Sequence, residues 1–462
     1  MTNDLFSDFE PTSKSDWIVQ ATRDLKGKDF YQTLSSRLWG TIEQAPFYTI
    51  EDRSLAATQH RFHAQSELPG LPPRLWANMV SVVSGDSNES ILKSLENGAE
   101  GLVLHLYGVE NLDELLKGVF PQYIPILIKP IGNPVQALSR FFEWADATGA
   151  NPDQLSGGML WTPSDLCYDQ NESFGLALEI LNELVEMTEP YPNFKAFAIQ
   201  TSRYTESGGN PLDALVFGLG ELMEILDKSG KQSQELFQKA LLEASVGEVH
   251  FGEIARLKAF RKAVVSLAGL YQVPIKEEDV VLSVQTSQWS KSILDVNTNL
   301  IRQTYEAMAG VLGGANLLWV KPLQEESATD LDRRIARNVS TILREESYLD
   351  KVQDPAAGSF YLENITAEIL DFIPAQLSLL EEKGGFENAL KEGHIHAAVR
   401  ASREKIQNQV QENQLAKIGA NKYPASEKLQ KNLDLELFLE KMHELKATRA
   451  TYLVELQTLT QP

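Results

Sequence analysis

Two lysines close apolar runs in this chain, and lysine in that setting has chemical reach. Lys129 ends IPILIKP (124–130) and Lys321 ends ANLLWVKP (315–322). A desolvated ammonium loses its proton more easily, and the neutral amine can add to a carbonyl as a Schiff base. Each lysine is followed by proline, however, so we read strand-ending turns with the ammonium at solvent. Other polar residues fall at comparable points: His105 and Tyr107 in GLVLHLY, Trp161 and Thr162 after GGML, Gln200 to Arg203 after FKAFAI, Glu253 in EVHFGE, and Gln285 to Ser287 in VQTSQ. His105 reads as a packed histidine before it reads as a general base. His394 and His396 lie two apart on a predicted helix, so their rings face different ways, and no third metal ligand accompanies them. Glu345 and Glu346 read as helix decoration. No catalytic, cofactor-binding or metal-ligating residue is assigned on this basis.

Such residues need a scaffold that gathers strand ends. Eight short apolar segments recur between predicted helices, at 77–84, 101–107, 124–130, 157–161, 194–200, 248–253, 279–287 and 315–322. Nearly continuous apolar runs are expected of parallel strands covered on both faces. Asp86 with Glu89 is read as a capping box before Ile91, with Gly98 as the stop. Asn133–Pro134 starts another helix, and the same GNP phrase recurs at 209–211. Eight strands over about 250 residues is the pattern of a (β/α)8 TIM barrel, whose chemistry sits at the C-terminal strand ends. The rival open doubly wound sheet would carry a glycine-rich phosphate turn after its first strand, and VVSGDSNES has none. The expected α/β organisation is an N-terminal arm over 1–75, a barrel over 76–415, and a linker with a C-terminal helical tail over 416–462. Within these, helices are expected at 15–27, 367–382, 394–414 and 433–459. The aromatics of the arm should lie on an apolar surface, either the barrel or a partner subunit.

Composition narrows the partners. The chain has 462 residues, 43% of them hydrophobic, with a net charge of −22. So acidic a protein is a poor ligand for nucleic acid or an anionic membrane. Cys167 is the single cysteine; it reads as a spectator thiol, consistent with a reducing cytoplasmic location. The acidic N-terminus does not read as a signal peptide, and no apolar run reaches the length of a membrane span.

Three segments in order carry a resemblance: VQTSQWS (284–290), YEAMAGVLGGANLL (305–318) and RIARNVSTILREESYLDKVQDPAAGSFYLEN (334–364). With GANKY (419–423) and, more loosely, FGEIARLKAFRKAV (251–264), they are similar to the barrel half of the methylmalonyl-CoA mutase family. The resemblance implies a barrel threaded along its axis by a coenzyme A thioester, with a cobalamin domain over the strand ends. This chain departs from the catalytic pattern. Arg203 or Thr205 of SRYTESGG stands where large subunits carry a histidine, and Val281 and Ser283 stand where an arginine and a histidine would meet the substrate. Losing the arginine removes a charge-assisted contact of about 1.5–3 kcal/mol. APFYTIEDRS (45–54) is of small-subunit type, and no D-x-H-x-x-G cobalamin motif occurs.

The implied reading is a small, non-catalytic subunit trimmed to arm, barrel and tail. It would stabilise a large subunit in a heterodimer through Trp39, Phe47, Tyr48 and the outer helices. It would bind no cofactor, the adenosylcobalamin belonging to the partner; isolated, it could form a homodimer. Residues implied to line the substrate channel are His105, Lys129, Arg203, Thr205, Gln285, Thr286, Ser287 and Lys321. Alternatives are the barrel chain of a split adenosylcobalamin-dependent acyl-CoA mutase, an acyl-CoA-binding module without turnover and, more distantly, a class I aldolase.

Overall fold

Short, largely apolar runs make the strands of the central sheet, all parallel in the computed structural model. The structure describes residues 12–52, 75–322, 325, 327–424 and 437–460. The barrel strands are β1 (Ala77–Val82), β2 (Gly101–Leu106), β3 (Ile126–Pro130), β4 (Gly157–Met159), β5 (Phe194–Lys195 continuing as Phe197–Gln200), β6 (Ala240–Val246), β7 (Leu282–Thr286) and β8 (Leu317–Trp319). Each pairs with the next, and β8 pairs with β1. The two halves of β5 join β4 to β6, which closes the ring. Helices cover the outside, as expected of a TIM barrel.

Helix starts follow local chemistry. Both GNP phrases act alike: Asn133 and Asn210 cap their helices by accepting from the second helical N–H, with proline at the first position. The capping box read at Asp86 is corrected. Ser87 is the cap and accepts from Ser90 N, whereas Asp86 accepts from Val83 N and pairs with Arg333. The carboxylate closes the turn after β1 instead of opening the helix.

The sixth strand is also corrected. Residues 248–253 do not form it; β6 lies upstream at Ala240–Val246, and a helix runs from His250 to Leu270. Glu253 sits in that helix's first turn, accepts from Gly247 N and pairs with Arg256, so it does not stand at a strand end. Of the helix expected at 433–459, the described residues show Tyr452–Thr460 as the helical part. Residues 437–451 run without regular structure, some backbone groups bonding locally, as Glu444 N to Lys441 O, and others to the rest of the fold, as Thr448 N to Glu206 O; 433–436 lie outside the described residues. Most of the proline-bearing segment at 68–76 does too.

In the arm, a hairpin (Ser36–Leu38 with Ile42–Gln44) packs on the barrel's helix Phe360–Glu382, while the helix Lys14–Asp24 buries no residue and rests, through Trp17, on the arm's own Phe30 and Phe47. Leu38 and Ile42 are buried, Trp39 and Tyr48 pack on the core, and Phe47 is left exposed. No described helix is long and apolar enough to cross a membrane.

Candidate functional site

Alternation along each strand decides what faces the barrel axis. Met79, Val103, Leu127, Leu160, Ala198, Leu241, Leu317 and Trp319 form one buried cluster distinct from the main core, with Val281 packed on it. They fill the axis where the resemblance expects a channel. Close approach matters here: a Cβ on Gly101 would collide with Met79 Sδ, and one on Gly158 would come within 2.7 Å of Leu241 Cδ2. The two glycines leave room for the plug.

Above it, at the C-terminal strand ends, lies a polar chamber of about 180 Å3. Lys129, Gln200, Glu243, Gln285 and Lys321 line it, and the short helix Ser202–Glu206 forms its side. Residues 445–451 lie across this part of the mouth. Thr448 N donates to Glu206 O and Ala450 N to Trp289 O, both at 2.9 Å. Leu445 and Ala447 face the chamber from above.

The expectation that the lysines reach solvent is corrected. Lys321 is 8% exposed and donates to Gln285 Oε1 at 3.1 Å, while Lys129 points into the covered chamber. Pro130 continues the ladder opposite Leu106, so the strand does not turn out there. Alternation then sends Lys129 the way of Leu127, and Lys321 the way of Trp319. Both ammoniums lie over the Trp319 ring, at 5.7 and 5.1 Å from its centre. Burial, then the charge of Lys321, pushes Lys129 below the ordinary lysine value. Opposite them, burial lifts the Glu243 carboxyl to about 7, although Ser202 Oγ and Gln285 Nε2 donate to it.

Of the eight channel candidates, Lys129, Arg203, Gln285 and Lys321 meet at the chamber. Arg203 is held by Asp165 and Asp169 at 2.6 and 2.9 Å, so its charge is committed. Thr205 bonds the Ser245 hydroxyl, Thr286 Oγ1 accepts from Lys321 N, and Ser287 is buried in the backbone ladder. His105 stands edge-on to Trp319 at 5.8 Å, with Nε2 3.9 Å from Glu325 and without a hydrogen bond. Glu243 is absent from the sequence-derived candidates because it lies in β6, upstream of the expected 248–253, and the inward side of Trp319 is absent because strand register decides it. The signal available was ALLEASV, an apolar run interrupted by one acid. Cys167 is half-buried with its thiol pushed up to about 12, which keeps it protonated and unreactive. His396 Nε2 lies 3.0 Å from the His443 carbonyl.

His105 supplies a pH test. Burial, then Lys129, lowers it from 6.5 to about 4. The unfolded chain therefore binds the proton first as pH falls, and stability present above 6.5 is lost towards 4. The expected size is about 3 kcal/mol at most. His105→Gln should flatten that part of the stability–pH curve, measured as Tm from pH 7 to 4.5; an unchanged slope would exclude His105 as its source.

The methylmalonyl-CoA mutase family model matches residues 76–458. A Porphyromonas gingivalis protein named methylmalonyl-CoA mutase small subunit is 28% identical, over 91% of this chain and 71% of its own length. A Streptomyces virginiae protein of the same name is 27% identical, over 83% of this chain and 65% of its own. Human mitochondrial methylmalonyl-CoA mutase is 27% identical, over 92% of this chain and 58% of its own. The chain thus spans less than two thirds of the second and third of these relatives.

Proposed function

The chain belongs to the methylmalonyl-CoA mutase family, and from that premise we propose that it serves as a small subunit that holds a large mutase subunit in its working form and turns over no substrate itself. The filled axis is the observation that carries this reading. A thioester threaded through the barrel needs open space where Met79, Leu127, Leu241 and Trp319 now touch. The mouth adds to it. Arg203 is spent on two aspartates, Val281 packs on the plug, and residues 445–451 lie across the strand ends that a corrin would have to approach. The described residues therefore do not fit a bound cobalamin at this mouth, and no step through it is derived for this chain. In this reading adenosylcobalamin and the interconversion of methylmalonyl-CoA and succinyl-CoA belong to the large subunit.

The barrel then acts as a folded body with a surface to offer. Its own arm already covers part of the apolar wall, and Phe47 remains accessible beside Phe251 and Tyr361. An interface of obligate type would be large and apolar. The test is light scattering on a sizing column, with this chain alone and mixed with a large mutase subunit lacking its partner. A stable 1:1 complex is expected, with adenosylcobalamin-dependent turnover absent from this chain alone. Absence of a complex, or turnover by this chain with a free cobalamin domain, would refute the reading; the latter would favour a split mutase.

A further inference from the structure

The outer wall of the barrel carries a second recess, away from the mouth. The helices Asn88–Glu96 and Asp330–Glu345 flank β1 and leave a groove of about 430 Å3 between them. Its floor is apolar, with Val80 and Val82 of β1, Leu102 of β2 and Ile91. Its walls are cationic, with Arg333, Arg334 and Arg337 from one helix and Lys93 from the other.

That sign is opposite to the chain's net charge of −22. Two carboxylates, Asp86 and Asp330, also line the groove. Asp86 is engaged by Arg333 at 2.8 Å and by Val83 N at 2.9 Å. Among the described residues, no carboxylate is ion-paired with Lys93, Arg334 or Arg337. Arg337 Nε is buried without a hydrogen-bond partner, unlike an arginine solvated on a helix face. Burial, then the charge of Arg334, disfavours the Arg337 cation. Like charges three and four residues apart also weaken a helix, and among the described residues no ion pair relieves Arg334 and Arg337 of that repulsion. An anion seated in the groove would.

We propose that this groove binds a small molecule carrying a phosphate or pyrophosphate on an organic body of about nucleotide size. The forked donors of Arg334 and Arg337 suit phosphate oxygens, Lys93 adds charge from the opposite wall, and the apolar floor takes the body. The volume lies within the usual range for such ligands. The site is independent of the barrel mouth and of the subunit role.

Calorimetry on the full chain tests it, with ADP, pyrophosphate and inorganic phosphate as probes. ADP is expected to bind saturably, more tightly than inorganic phosphate, and more weakly as salt rises. Arg334→Gln with Arg337→Gln should weaken ADP binding at least tenfold. Ser94→Trp, which fills the groove and leaves every cation, should do the same and guards against a folding defect in the double variant. Lys391→Gln, on a distant surface, should change nothing. The proposal is overturned if neither ADP nor pyrophosphate binds at millimolar concentration. It is equally overturned if inorganic phosphate binds as tightly as ADP, or if ADP binding survives both groove variants.

Discussion

Glu306→Ala is expected to destabilise the protein by about 3–5 kcal/mol, the cost of stranding one member of a buried ion pair. Glu306 lies in the helix Val296–Leu312, and Lys291 lies in the loop after β7. Their side chains are 0% and 2% exposed, and they are directly ion-paired. Ser290 Oγ donates to the same carboxylate. Burial lowers the Lys291 pKa and raises that of Glu306, and in each case the partner's charge acts against the burial. Alanine at 306 leaves a buried ammonium whose remaining hydrogen bond is to the Ser290 hydroxyl. Replacing both partners, Lys291→Met with Glu306→Leu, removes both desolvation costs and should recover most of the loss.

The effect should spread along a defined path. Thr451 Oγ1 donates to Lys291 O, and Ser292 Oγ and Ile293 N donate to Glu455. The loop that Glu306 anchors is thus the seat of the tail covering the chamber. Thermal unfolding reads the global cost, and hydrogen exchange over 445–455 reads the local one. A loss below about 1 kcal/mol, or a double variant no better than the single, would show that the pair is not what holds this corner.

How much of this was legible beforehand depended on which physical signal each element carries. A strand such as GLVLHL advertises itself because both faces are covered and the run is apolar, and LSVQT does so by alternating. β6 hides because Glu243 interrupts it, while EVHFGE next to it imitates a strand by alternating. The first part of the tail is misread: 437–451 has helix-forming residues, but Glu440 is taken by Arg400 and Arg403, and Thr448 and Ala450 bond the barrel's mouth. The site divides the same way. Lys129 and Lys321 were visible as strand ends, because position in sequence fixes that. Whether they face solvent or the axis depends on ring closure and register, which no local pattern states. The absence of a family histidine at Arg203 or Thr205 was visible too. The committed state of Arg203 required Asp165 and Asp169, some 35 residues upstream, to be placed beside it.

Trp319→Ala should be comparably damaging, and its outcome bears on why the axis is closed. Trp319 is 2% exposed at the top of the plug, with Nε1 donating to Ser81 Oγ at 2.9 Å. Truncating a buried tryptophan typically costs about 3–5 kcal/mol through lost burial and the cavity left behind. Here two further terms act in the same direction. Lys129 and Lys321 lose the ring face they share, and the Ser81 hydroxyl loses its donor. The cavity should nevertheless fail to become a channel. Met79, Val103, Leu127, Leu241 and Leu317 still fill the axis, each from a different strand, so no single truncation reopens it. The expected result is a lower Tm together with no stabilisation by acyl-CoA esters, both read in one thermal-shift titration of wild type and variant. Stabilisation of the variant by an acyl-CoA would mean that one side chain gates an otherwise intact channel. The chain would then be a dormant substrate-binding barrel, and the filled axis would no longer support a purely structural role.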